Sequence, residues 1–208
     1  MAAGGTGVAG ATPAARPVAS RPAAPQLLAG SWIGAHRGSP VKVTNVHERS
    51  LPASPARVGQ LLDSLAGPDD RLWPSADWPP MRFDGPLQVG AAGGHGPIRY
   101  EVEAYDPGRT VRFRFTGPAG FDGFHAFEVV PRPDGHTLLR HEILMVARGP
   151  ALVTWPLVFR PLHDALIEDA LAEAARHLAI PSPRPRWSLW VRALRCMFRP
   201  RRTRRAQR

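Results

Sequence analysis

Between residues 98 and 147 the chain switches between apolar and polar at every second position, in four successive runs separated by turn residues. Ile98, Tyr100, Val102 and Ala104 fall on one side of the first run, and Arg99, Glu101 and Glu103 on the other. Val111, Phe113 and Phe115 alternate with Arg112 and Arg114. The third run, 121–130, sets Phe127 and Val129 against Glu128, and the fourth, 137–147, aligns Leu139, His141, Ile143 and Met145. Asp106-Pro107-Gly108, Gly117-Pro118-Ala119-Gly120 and Pro133-Asp134-Gly135 supply turn chemistry between them. A period of two means strands with one buried and one wet face. Pairing Phe127 with His141 across the last turn puts His125 on the same face as both. A sheet with one apolar face must find a cover for it.

The cover is predicted over 151–180. Leu162, Leu166, Ala170, Ala174 and Leu178 recur at helical spacing, with Ile167 and Leu171 beside them. Glu168, Asp169, Glu173 and Arg176 are expected to face water, and Asp164 to sit favourably near the helix N-terminus. Pro156 and Pro161 must lie near the helix start or kink it, and Ile180-Pro181-Ser182-Pro183 stops it. Upstream, a first strand is expected from Val41 to about Ser50. A helix follows, with Ser54 as N-cap and Pro55 at the first position, running to Gly67. Leu72-Trp73-Pro74 to Trp78-Pro79-Pro80 reads as a packed loop, and Leu87–Ala91 as a short strand broken by Gly93–Pro97. The fold class is α+β: a curved antiparallel sheet wrapped around a long C-terminal helix.

The charge divides the chain in the same places. All 17 acidic residues lie within 41–180, against 13 Arg and Lys42, for a net −3. Residues 1–40 carry three Arg and no acid, and 181–208 carry ten Arg and no acid. Three parts are therefore expected: a disordered Ala/Gly/Pro-rich extension over 1–40, a folded domain over 41–180 and an Arg-rich amphipathic tail over 181–208. The formal +10 belongs to the ends. A nucleic-acid partner is not expected of the domain, and phosphate-binding glycine motifs are absent from the sequence. No secretory leader is read at the start, and no apolar run approaches the roughly 20 residues of a membrane span. The lone Cys196 excludes an intrachain disulfide and any multi-cysteine metal site. No metal and no cofactor are expected, and the protein is expected to be cytoplasmic.

The element order resembles the START-like (SRPBCC) superfamily of helix-grip proteins. So do the segments Gly93-Gly94-His95-Gly96-Pro97-Ile98-Arg99-Tyr100, Tyr105-Asp106-Pro107-Gly108-Arg109 and Arg140-His141-Glu142. The superfamily includes polyketide cyclases/dehydratases, lipid-transfer domains and plant pathogenesis-related allergens. The resemblance implies a cavity between sheet and long helix that holds an apolar or amphipathic molecule. Its wall would be the inward face: Ile98, Tyr100, Val102, Phe113, Phe115, His125, Phe127, Leu139, His141, Ile143, Leu166 and Ala170. Gly94, His95 and Gly96 would form a loop at its mouth. The superfamily has no shared catalytic motif. His125, His141 and Tyr100 are the candidates for acid–base work, since imidazole titrates near neutrality, although each reads more readily as a satisfied core or rim residue. Binding or carriage of a lipid or polyketide-like molecule is the leading expectation, and a cyclase/dehydratase-type enzyme the alternative. A membrane-tethered interaction module is the second alternative.

The tail bears on that last alternative. Trp187, Trp190, Val191, Leu194, Met197 and Phe198 share one helical face, and Arg192, Arg195 and Arg199 another. Aromatic residues opposite arginines suit a lipid interface. Trp187, Trp190, Leu194, Arg192, Arg195 and Arg199 are therefore the expected contacts with an anionic membrane, reached peripherally.

Overall fold

The computed structural model describes residues 39–198. Seven antiparallel strands form one sheet: β1 Val41–Leu51, β2 Arg82–Phe83, β3 Ala92–His95, β4 Ile98–Asp106, β5 Thr110–Gly117, β6 Phe121–Pro131 and β7 Thr137–Ala147. Their order across the sheet is β1-β7-β6-β5-β4-β3-β2. Each of β4 to β7 pairs with the strand before it, as the short turns require, and β1 closes the far edge against β7. Phe127 stands opposite His141, so the expected register holds.

Helix α1, Pro55–Asp63, starts as the sequence indicates: the Ser54 hydroxyl accepts from the Arg57 amide and Pro55 opens the first turn. Its Val58, Leu61 and Leu62 are fully buried. The helix lies so close to the β4–β5 turn that a Cβ on Gly59 would sit 2.5 Å from the Gly108 carbonyl oxygen. Helix α1 stops at Asp63, short of Gly67, and Leu65 is buried in the turns that follow. Trp73 and Trp78 are buried, so the Pro-rich connection is a packed loop.

The cover is one long helix widened by a π-turn. Helix α2, Ala151–Thr154, runs through a single π-turn, Trp155–Phe159, into α3, Arg160–His177. The Arg160 amide bonds back to the Trp155 carbonyl across five residues. Pro156, the second residue of that widened turn, and Pro161, two residues beyond its end, have no N–H to give. Helix α3 buries Leu166, Ile167, Ala170, Leu171, Ala174 and Ala175 against the sheet.

Four details differ from the sequence expectation. Leu87–Ala91 is not a strand; the short edge is made by Arg82–Phe83 pairing with Gly93 and Gly94, which lie within β3. Gly93 belongs there because a Cβ would meet the Arg82 carbonyl oxygen at 2.2 Å. A bulge after Val102 turns Ala104 outward opposite Arg112 and brings Tyr105 opposite Val111. Asp164 is not at a helix start, because the π-turn makes α3 continuous with α2. The segment after Pro183 is not a separate tail as far as it is described. Helix α4, Leu189–Phe198, packs on the domain and buries Val191 and Leu194. Residues 1–38 of the expected 1–40 extension, Arg199 and the arginines beyond it lie outside the described residues. No helix among the described residues is long and apolar enough to cross a membrane.

Candidate functional site

The inner face of the sheet divides lengthwise. At the β6–β7 hairpin end, Val102, Val111, Phe113, Phe127 and Leu139 are fully buried beneath α1 and the C-terminal half of α3. Toward the other end the same strands present Ile98, Phe115, Phe121, His125, His141 and Ile143 to a cavity of about 610 Å³. The N-terminal half of α3 faces them with Leu162, His163, Leu166 and Ile167. The π-turn adds Trp155, Val158 and Phe159, and the loops add Trp73, Trp78 and His95.

Four imidazoles interrupt this apolar wall. His125 Nδ1 and His141 Nε2 are 3.3 Å apart, one donating to the other. His95 Nδ1 lies 3.1 Å from the Tyr100 hydroxyl. The His125 ring is layered between Phe113 and Phe115, at 4.8 and 5.0 Å between centroids. His163 stands 5.0 Å from His141. His125 Nε2, His141 Nδ1 and His163 Nε2 are buried and have no hydrogen-bond partner among the described residues. Burial in an apolar wall disfavours the charged form. It holds His125 and His141 well below the usual imidazole range and takes His95 down to about 3. His163 is also lowered by burial, partly offset by Asp164. Burial likewise raises the Tyr100 phenol. The imidazoles are neutral, each with one donor and one acceptor nitrogen.

Beside the cavity, β1 and α3 are joined by a polar cluster. His47 Nδ1 is 2.8 Å from Glu168 Oε1, and His47 Nε2 is 3.1 Å from Asp164 Oδ1. Asn45 donates to the same Asp164 oxygen at 2.9 Å, and Arg49 to Glu168 Oε2 at 3.2 Å. The Asp164 hydrogen bond, then Glu168, raise the His47 pKa despite its burial. Burial acts to raise the Asp164 carboxyl, but hydrogen bonds from His163, His47 and Asn45 outweigh it and hold the group well below its usual range. Glu168 is thus half-buried and paired, where sequence periodicity places it in water.

This architecture can be compared with known proteins. No protein-family model matches the chain, and no curated protein matches it. Solved structures do. Truncated norcoclaurine synthase from Thalictrum flavum superposes with a TM-score of 0.52 at 17% identity, over 69% of this chain and 98% of that one. A Thermobifida fusca protein gives 0.51 at 17% identity, over 68% and 99%. A Nitrosospira multiformis protein gives 0.51 at 16% identity, over 67% and 99%. The fold is the helix-grip fold.

In this helix-grip protein the sheet and long helix do enclose a cavity, but its wall is only part of the inward face. Ile98, Phe115, His125, His141, Ile143, Leu166, His95 and Gly96 line it. Tyr100, Val102, Phe113, Phe127, Leu139 and Ala170 do not; they belong to the packed end, with Tyr100 behind His95. Gly94 is in β3 and is not part of the wall. Sequence reasoning missed His163, although the spacing of 163, 166, 167 and 170 already put it on the apolar stripe of α3.

The cavity mouth is closed partly by α4. Trp78 and Trp187 both donate their indole N–H to Asp169 Oδ2, at 2.7 and 2.8 Å. The Arg195 guanidinium lies over both rings, 4.2 and 3.7 Å from their centroids, and donates to the Asp77 carbonyl. Asp169 is therefore an anchor for the mouth and does not face water. Arg195 and Phe198 line the cavity. Of the expected membrane contacts, Leu194 is buried, Trp187 and Arg195 are engaged in the clamp, and Trp190 and Arg192 are exposed.

Proposed function

We propose that the protein binds a small, mainly apolar molecule carrying hydroxyl or carbonyl groups, of lipid or polyketide-like type, between the sheet and α3. One observation carries this reading: an apolar cavity of about 610 Å³ whose wall holds three buried imidazole nitrogens with no hydrogen-bond partner among the described residues. The volume lies within the roughly 300–1,000 Å³ of small-molecule sites. A buried polar atom without a partner costs free energy, so a ligand that supplies the missing hydrogen bonds is favoured over a hydrocarbon. Carriage is favoured over turnover because imidazoles held well below neutrality are weak bases and are not protonated acids at pH 7.

A cyclase/dehydratase-type activity is the alternative, and the contact between His125 and His141 is what favours it. Norcoclaurine synthase, determined with a transition-state analogue, is a synthase on a similar fold. In that case a bound substrate would have to raise the imidazole pKa values toward neutrality.

Native mass spectrometry of the gently purified full chain tests the binding reading. A co-purifying small molecule is expected, and its retention should fall about 5- to 100-fold in His125→Phe or His163→Phe, which cannot complete its hydrogen bonds. Retention unchanged in both folded variants would remove the imidazoles from the reading.

We also propose that the cavity mouth touches anionic membrane peripherally. Trp190, Met197 and Phe198 are exposed on α4, Leu157 is exposed beside Trp190, and Arg192 adds positive charge. Trp190 donates to the Leu157 carbonyl at 2.8 Å, which keeps the patch continuous with the π-turn. This surface keeps only Trp190, Met197 and Phe198 of the stripe that helical periodicity selects, since Val191 and Leu194 are used inside the fold.

A further inference from the structure

On the β1 side of α3, His47, His163 and Asp164 bring one donor atom each within 4.8 Å of one another. Asp164 Oδ1 is 3.1 Å from His47 Nε2 and 3.5 Å from His163 Nδ1. Bonds of roughly 2.0–2.1 Å from a tetrahedral zinc ion place neighbouring donors about 3.3–3.4 Å apart, and the two separations bracket that value. The longer one is a weak hydrogen bond at the limit of its range, and it turns the Nδ1 edge of His163 toward Asp164. Two imidazoles and a carboxylate are a donor set for Zn²⁺ or a similar divalent transition ion.

The surroundings fit. Glu168 Oε1 sits 2.8 Å from the other ring nitrogen of His47, and Arg49 holds Glu168 in place. A carboxylate behind a ligating imidazole fixes its tautomer and orientation. The three donors come from one strand of the sheet and one turn of α3, so their spacing is set by rigid elements. The positive groups nearby are Arg49 and Arg160, the latter 3.7 Å from Asp164 Oδ2. They limit the affinity without occupying the donor atoms.

We propose that His47, His163 and Asp164 bind a divalent transition-metal ion, with zinc as the best fit, between β1 and α3. Binding displaces the proton from His47 Nε2 and leaves the one on Nδ1 bonded to Glu168. It also needs His163 Nδ1 unprotonated, which puts that ring's proton on Nε2, the buried nitrogen without a partner. The ion thereby fixes His163 as a donor in the cavity wall. The site itself goes beyond the cavity reading and stands whether or not the cavity takes a ligand.

The test uses full-length protein stripped with a chelator and titrated with Co²⁺ in the absence of any cavity ligand. One equivalent should bind with the ligand-field absorption of a four-coordinate centre, and Zn²⁺ should displace it. His47→Gln and Asp164→Asn should each weaken binding at least tenfold. Glu168→Gln should weaken it about 10- to 100-fold. His177→Ala, on the exposed end of α3, should change nothing. Should a variant lose its fold by circular dichroism, imidazole ¹⁵N spectra of the wild type decide. Zn²⁺ must then move the His47 and His163 signals before those of His136 and His177. Absence of stoichiometric binding, normal binding by folded Asp164→Asn, or first perturbation of other histidines would overturn the proposal.

Discussion

The two ends of the inner sheet face are built from the same four strands with the same alternation, yet one is solid and the other hollow. At the solid end α1 inserts Val58, Leu61 and Leu62, and α3 presents Ala170, Ala174 and Ala175. Small residues let that half of α3 approach the sheet closely. At the hollow end α3 carries Leu162, His163, Leu166 and Ile167, and no element among the described residues fills the space above Phe115, His125 and Ile143. The difference teaches that alternation specifies which face is buried, while the elements laid over that face decide whether it becomes core or binding wall.

The comparison is broken most directly by deleting side chains at each end. Phe127→Ala or Leu139→Ala, both at fully buried positions, should cost about 3–5 kcal/mol in urea unfolding. Leu162→Ala and Phe159→Ala, half-buried beside existing space, should cost less than about 1.5 kcal/mol, because little new cavity is made. Equal losses at both ends would mean that the cavity is collapsed in solution.

Acid sharpens the comparison next. His95, His125, His141 and His163 have folded pKa values below the ordinary 6.5, so below that pH the unfolded chain binds more protons. Stability should therefore fall as pH drops from about 6.5, by up to about 1.4 kcal/mol per pH unit for each such histidine. His47 acts with the opposite sign. Its folded pKa is raised, so its contribution is complete below about 6.5 and is lost as pH climbs through the folded value. Denaturant midpoints against pH should lose about one histidine's share of the acid slope in His141→Phe. A slope that His141→Phe leaves untouched would mean that this imidazole is protonated in the fold.

Much of the fold was legible. The turns after β4, β5 and β6, the Ser54 cap and the Phe127–His141 register follow from local chemistry that tertiary packing does not override. The hollow was not, because the period of β4 to β7 runs unchanged from the packed end into the cavity. His163 was within reach of the helical spacing, three residues before Leu166 on the apolar stripe of α3. The roles of Glu168 and Asp169 could not be found by periodicity. Their partners, Arg49, Trp78 and Trp187, lie 18 to 119 residues away in sequence. The apolar stripe of the tail does not choose its own partner, because an amphipathic helix serves a protein surface as well as a lipid one, and Val191 and Leu194 are buried in the fold.

Smaller effects are expected at the mouth. Asp169→Ala strips two indole N–H groups of their acceptor and should cost about 1–3 kcal/mol, with faster proteolysis between 183 and 198. Unaltered cleavage would mean that α4 is held without the Trp78–Trp187 clamp. Trp190→Ala with Phe198→Ala should change stability by no more than about 0.5 kcal/mol, yet reduce co-sedimentation with anionic vesicles. Unchanged co-sedimentation would remove these two residues from the membrane contact.

The central claim is that the hollow end is a binding site. A fluorescent probe of apolar pockets, titrated into the wild type and into Ile143→Trp, tests it most directly, since Ile143 lines the cavity and a tryptophan there intrudes into the space a ligand would occupy. Circular dichroism confirms that the variant is folded. The account predicts one probe bound per wild-type chain and none in the folded variant; equal binding by both would contradict it.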